Sequence, residues 1–132
     1  MILALILQAA VPAVPGTLPV QALPAKGCAA YLWSVADRRL VAMAGADPAQ
    51  LRLVIDGKAI DVARSGERGT GDYGFAGTTD YARAEVSATL DMTVARRADI
   101  TAGAAVPSGV LTIVRPGQDS VVVPVAGLIG CV

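Results

Sequence analysis

The sequence predicts an all-β domain: a small antiparallel β-sandwich or β-barrel of about seven strands, its first and last strands joined by a disulfide. Three observations predict it. Apolar and polar residues alternate strictly from Ala82 to Val94. An Asp56-Gly57 pair separates two further alternating segments. Two cysteines, Cys28 and Cys131, stand at opposite ends of the region that carries these patterns.

Taken in chain order, residues 1–13 read as a secretory signal peptide. An apolar run from Ile2 to Leu7 continues through Val11, and cleavage fits after Ala13, with Ala10 the competing site. No Lys or Arg precedes the run. It is far shorter than the ~20 apolar residues of a spanning helix, and Pro12, Pro15 and Pro19 interrupt it. Residues 14–27, with Pro15, Pro19 and Pro24, read as an extended lead-in segment outside the core. Lys26 argues against a lipid-attachment site at Cys28. Residues 28–132 then make a single β domain.

Within that domain, Cys28–Trp33 and Arg39–Ala44 read as an opening pair of strands around Ala36-Asp37-Arg38. A short helix over Leu40–Ala46 is the alternative, because Ala and Met permit it. Leu51, Leu53 and Ile55 lead into Asp56-Gly57, and Ile60 and Val62 return. Asp-Gly between alternating segments marks a hairpin, because a type I′ turn needs positive φ at both central residues. The stretch Ala82–Val94 puts Ala82, Ala84, Val86, Ala88, Leu90, Met92 and Val94 on one face. So long a strand, about 43 Å at ~3.3 Å per residue, is expected to coil or to bend at a bulge. Val110–Val114 enters the turn Arg115-Pro116-Gly117-Gln118, whose Pro-Gly order suits type II, and Val121–Val125 returns. Pro124 cannot donate to a ladder, which places this strand at an edge or a bulge.

Two cysteines in an exported chain imply one disulfide. Closing a loop of roughly 100 residues stabilises by up to about 4.7 kcal/mol in the chain-entropy model. The bond also requires the first and last strands to be neighbours, with Cα atoms about 5–6 Å apart. Trp33, the single tryptophan, is expected in the core against that disulfide.

Composition narrows function by exclusion. Eleven basic and eleven acidic residues give a net charge of zero, so nothing attracts nucleic acid or an anionic membrane. There is no histidine, hence no Ser-His-Asp or Cys-His site. No serine has Lys three residues on. Gly69-Thr70-Gly71-Asp72-Tyr73-Gly74 matches the dinucleotide glycine pattern, yet a strand follows it where a helix would have to hold the pyrophosphate. The carboxylate pairs Asp56/Asp61 and Asp72/Asp80 are better explained by a turn and solvated faces than by glycosidase or calcium chemistry. No cofactor, metal or catalytic residue is expected. An outer-membrane barrel is not expected either, for five aromatic residues cannot build two girdles.

The segment 65–77 stands out. Its five glycines raise the entropy cost of ordering it, and it carries Tyr73 and Phe75. Exposed aromatics on a loop are common binding anchors, so this loop is the expected site of partner contact. The alternative is that both rings fold onto a core short of aromatics. Asp56-Gly57-Lys58, then Ser65-Gly66, then Tyr73 with a strand after it, resembles the middle of the periplasmic C-type lysozyme inhibitors. The resemblance covers residues 51–73. It implies a small barrel that blocks lysozyme, with Ser65 and Tyr73 as inhibitory contacts. This chain departs from that pattern in its longer loop and its additional hairpin at 109–126.

The expected protein is therefore an exported, periplasmic or extracellular, non-enzymatic β domain that binds a protein partner or supports the envelope. Inhibition of a cell-wall hydrolase through the 65–77 loop is the alternative. Neither nucleic acid nor insertion into a membrane is expected.

Overall fold

A computed structural model describes residues 14–132; residues 1–13, expected from the sequence to be a signal peptide, lie outside the described residues. Eight strands follow one another: β1 (Cys28–Ser34), β2 (Leu40–Ala46), β3 (Ala49–Ile55), β4 (Lys58–Arg68), β5 (Thr78–Arg83), β6 (Val86–Ala95), β7 (Gly103–Val114) and β8 (Val121–Cys131). Each pairs antiparallel with the next, and β8 pairs with β1, so the sheet is a closed up-and-down barrel. Closure decides between barrel and sandwich, and it leaves no free sheet edge.

Eight strands replace the expected seven because Ala82–Val94 is two strands. Arg83 pairs with Val86 across a two-residue turn at Ala84-Glu85, where Glu85 has φ 68°. A two-residue turn swaps which parity faces inward. Thr79 and Tyr81 point in before it, and Val86, Ala88 and Leu90 after it. Ala82 and Ala84 are exposed. Alanine tolerates either face, so it prolonged the alternation past the real turn.

The hairpin at Asp56-Gly57 forms as expected, with φ 51° and 78° and Ile55 paired with Lys58. The turn at Arg115–Gln118 is also as expected. Gly117 has φ 70°, and the Gln118 N–H donates to the Arg115 carbonyl at 3.1 Å. Leu40–Ala46 is a strand and not a helix. Pro124 sits in β8 just beyond the end of β1, its carbonyl accepting from Val35 N–H at 3.0 Å. Its ring nitrogen thus faces the side where the β1 ladder has run out, which is the nearest thing to an edge in a closed barrel.

Small residues opposite large ones fill the interior. Ala42 lies between Leu32 and Leu53, Ala88 between Tyr81 and Ile113, and Ile129 between Ala30 and Ala104. All of these are buried. Each large side chain borrows the space its alanine neighbour leaves, so a narrow barrel closes with few aromatics. Fully burying one such Leu or Ile stabilises by about 1.5–3 kcal/mol. Tyr81 is the largest fully buried side chain, and burial pushes its hydroxyl up to about 12.

The disulfide Cys28–Cys131 joins the first and last strands, as expected. The two cysteines are register partners, and their Cα atoms are 4.0 Å apart, closer than the expected spacing. Directly opposed residues in a non-hydrogen-bonded pair lie closest of all in an antiparallel ladder. Such a bond belongs to an oxidising, non-cytoplasmic compartment. Trp33 is not beside it. Five positions along one strand reverse the face, so Trp33 points outward and is 37% exposed.

The lead-in 14–27 is extended but not free. Gly16 bridges to Val54, and the Leu18 N–H donates to the Leu40 carbonyl at 2.8 Å. Leu18 is buried against the outer face of the barrel. Tyr31 Oη donates to the Ala22 carbonyl, and Arg52 Nη1 donates to Gln21 Oε1 at 2.8 Å.

Candidate functional site

Alternating strand directions give the barrel two unlike ends. One carries the short turns after β1, β3, β5 and β7. The other carries the disulfide and two longer connections, 69–77 and 96–102.

The segment singled out from sequence lies at the loop end, and its first part is strand. β4 runs to Arg68, so the loop proper is 69–77. Ser65 is the extra residue of a bulge, since Arg64 pairs with Tyr81 and Gly66 with Asp80. Its side chain is exposed, and bulges commonly re-aim a side chain next to a functional surface.

The two rings separate. Phe75 turns inward and is buried in the core cluster, so it is not an exposed anchor. Tyr73 is half-buried, packed against that cluster with φ 58°. The core's shortage of aromatic volume is met at this end by Phe75, and Tyr73 stays at the surface.

Three sets of contacts order the loop. The Asp72 carbonyl accepts from Phe75 N–H at 3.0 Å, while Asp72 Oδ1 accepts from Tyr73 N–H at 2.8 Å. Arg96, on the neighbouring connection, donates through Nε to Asp72 Oδ2 at 2.8 Å and through Nη2 to Oδ1 at 3.2 Å. Its guanidinium lies 5.3 Å from the centroid of the Tyr73 ring, within cation–π range. The Met92 N–H donates to the Gly77 carbonyl and ties down the far end. Hydrogen bonds from Arg96, and then from the Tyr73 amide, hold the Asp72 carboxyl below the usual carboxylate range. Gly71 is required where it is, because a Cβ there would stand 1.9 Å from the Phe75 carbonyl oxygen.

The other carboxylates weighed from sequence also meet arginines. Asp80 accepts from Arg68 and from Thr89 Oγ1, Asp61 accepts from Arg52, and Asp56 faces Arg115 at 3.3 Å. Asp72 and Asp80 therefore bind different arginines and do not converge. The glycine pattern 69–74 follows strand β4 and leads to strand β5.

At the turn end the hairpin tips enclose an open cleft of about 540 Å³. Ile55 and Val86 form part of its floor; Asp56, Lys58, Glu85 and Arg115 are charges at its rim. Sequence reasoning missed this cleft. Its walls come from three turns that only barrel closure brings together, and one of those turns was hidden inside Ala82–Val94.

Compared with protein-family models, with curated proteins and with solved structures, the chain matches none. Its class is defined by its own architecture: an eight-stranded up-and-down barrel with a filled interior, a disulfide across its seam and a pinned loop over one mouth.

Proposed function

We propose that this protein is an exported, non-enzymatic binding domain, periplasmic or extracellular, whose loop end contacts a protein partner in the cell envelope. The observation that carries this reading is the pinning of Asp72 and Tyr73 by Arg96. A glycine-rich segment left free would lose much entropy on binding, whereas one already held in place loses little. Tyr73 offers a ring that is partly exposed and positioned in advance. The disulfide supports export, and the apolar run of residues 1–13 supports a signal peptide that is removed.

Two measurements test it. Intact mass of the protein from its native envelope, with and without alkylation, is expected to show a start near Val14 or Val11 and no free thiol. Co-purification from that envelope is expected to lose its partners when Tyr73 becomes Ser. If Tyr73→Ser keeps its melting temperature and brings down the same proteins, the loop end is not the contact surface.

A second reading makes the partner a cell-wall hydrolase, with Ser65 and Tyr73 entering its cleft. The exposed bulge residue Ser65 and the ordered loop favour it, as does the resemblance over 51–73. Turbidity assays of lysozyme on cell walls decide it: unchanged rates at saturating protein reject this reading.

A further inference from the structure

Charge divides the barrel into halves. Every Asp, Glu, Lys and Arg located in a strand lies in β3, β4, β5 or β6. The adjacent strands β7, β8, β1 and β2 contain none. A strand with one wet face ordinarily places charge on it. Four neighbouring strands without any charge therefore mark a surface with a different outer environment.

Part of that surface is already covered. The lead-in lies over β2, where Leu18 bonds to Leu40 and is itself buried, and it continues onto the start of β1, where the Tyr31 hydroxyl donates to the Ala22 carbonyl. The outer face of β7, most of β8 and the far end of β1 around Trp33 has no such cover. Val122 is 61% exposed, Val35 58% and Leu128 50%. The register makes these one patch. Val110 pairs with Pro124, Trp33 with Ala126 and Tyr31 with Leu128, and Val35 hydrogen-bonds to Pro124.

From this geometry we infer that the outer face of β7–β8–β1 is an interface between two copies of this chain. The closed barrel has no edge to accept an added strand, so a partner must lie flat on the face. Burying a charge unpaired there would be costly, so the partner's surface must also be uncharged. The opposite half of this chain is excluded on that ground, and the same patch on a second copy satisfies it. A two-fold axis sets the patch against itself with no charges to match. Strands of 12, 11 and 7 residues, at ~3.3 Å per residue and ~4.8 Å spacing, span about 475 Å² per copy, so two copies bring together about 950 Å², close to the ~1,000 Å² of a specific interface.

Sedimentation of the oxidised, exported protein at micromolar concentration tests this. The expected mass is twice that of the processed chain. Val122→Glu and Leu128→Lys, each checked by circular dichroism for a retained fold, are expected to halve it. Ala63→Glu on the charged half is expected to leave it unchanged. A wild-type monomer overturns the inference, as do dimers that survive both substitutions. Flotation with phosphatidylcholine vesicles then names the alternative. A monomer that floats, and fails to float as Val122→Glu, assigns the face to a bilayer surface; one that does not float assigns it to a foreign protein.

Discussion

Arg96 grips both carboxylate oxygens of Asp72 while lying against the Tyr73 ring, so one side chain from the β6–β7 connection fixes the β4–β5 loop. Removing it is expected to loosen the loop without unfolding the barrel. In Arg96→Ala, amide exchange at Tyr73, Gly74 and Phe75 should accelerate while the melting temperature barely moves. The pH dependence has a definite sign. The folded carboxyl of Asp72 lies below its ordinary value of 3.8, so its contribution is complete above that value and is lost as pH falls through the lowered one. Loop amides should therefore stay protected at pH 4 to 5 in the wild type and be exposed at that pH in Asp72→Asn. Equal protection in both would show that the pair does not hold the loop.

Phe75 and Tyr73 should behave differently when truncated. Phe75 is buried in the core, so Phe75→Ala should cost about 3–5 kcal/mol in urea denaturation. Tyr73 is half-buried and should cost clearly less when changed to Ser. A small effect at Phe75 would place its ring outside the core.

The inward face of β6 is checked in the same way. Leu90 is 2% exposed between Thr79 and Leu111, and Leu90→Ala should cost about 2–5 kcal/mol. Thr89 points outward and donates to Asp80 at 2.9 Å, so Thr89→Ala should cost about 1 kcal/mol. Val94, near the strand's end, is only partly buried, and truncating it should have an intermediate effect. Equal losses at Leu90 and Thr89 would contradict the register of β5 on β6.

Tyr81 predicts an alkaline transition. Its folded hydroxyl ionises near 12 against 10.0 for a free tyrosine, because burial disfavours the phenolate. The native state thus holds its proton more tightly, and stability falls as pH rises between those values. The loss is roughly 2–3 kcal/mol, at about 1.36 kcal/mol per pH unit. Denaturation midpoints measured from pH 9 to pH 12 should decline more steeply in the wild type than in Tyr81→Phe. Parallel declines would mean that the hydroxyl is hydrated.

What could be read from the sequence is what local chemistry decides. Asp56-Gly57 and Pro116-Gly117 specify their turns within four residues, so both hairpins were legible. The cysteine pair announced its neighbours because only one pairing exists. Ala84-Glu85 was not legible as a turn, since neither residue is a strong turn former and Ala82 mimicked an inward position. Trp33 was misplaced by an argument from size, although its odd spacing from Cys28 already put it on the other face. At the loop, the segment and Tyr73 could be singled out, but not Arg96. Its distance from Asp72 along the chain is bridged only by the β5–β6 hairpin and the barrel's curvature.

The seam also sets an order of events. β1 finds one of its two partners at once in β2, but the other, β8, is the last strand to be made. Until β8 arrives, β1 and β7 present unpaired edges and the interior is open along its length. A chain emerging from the ribosome can therefore make hairpins one after another but cannot finish the cylinder. Non-local closure of this kind is slow, because the longest loop must be ordered before its contacts form. Under the export proposed above, that delay keeps the nascent chain threadable until translocation is done.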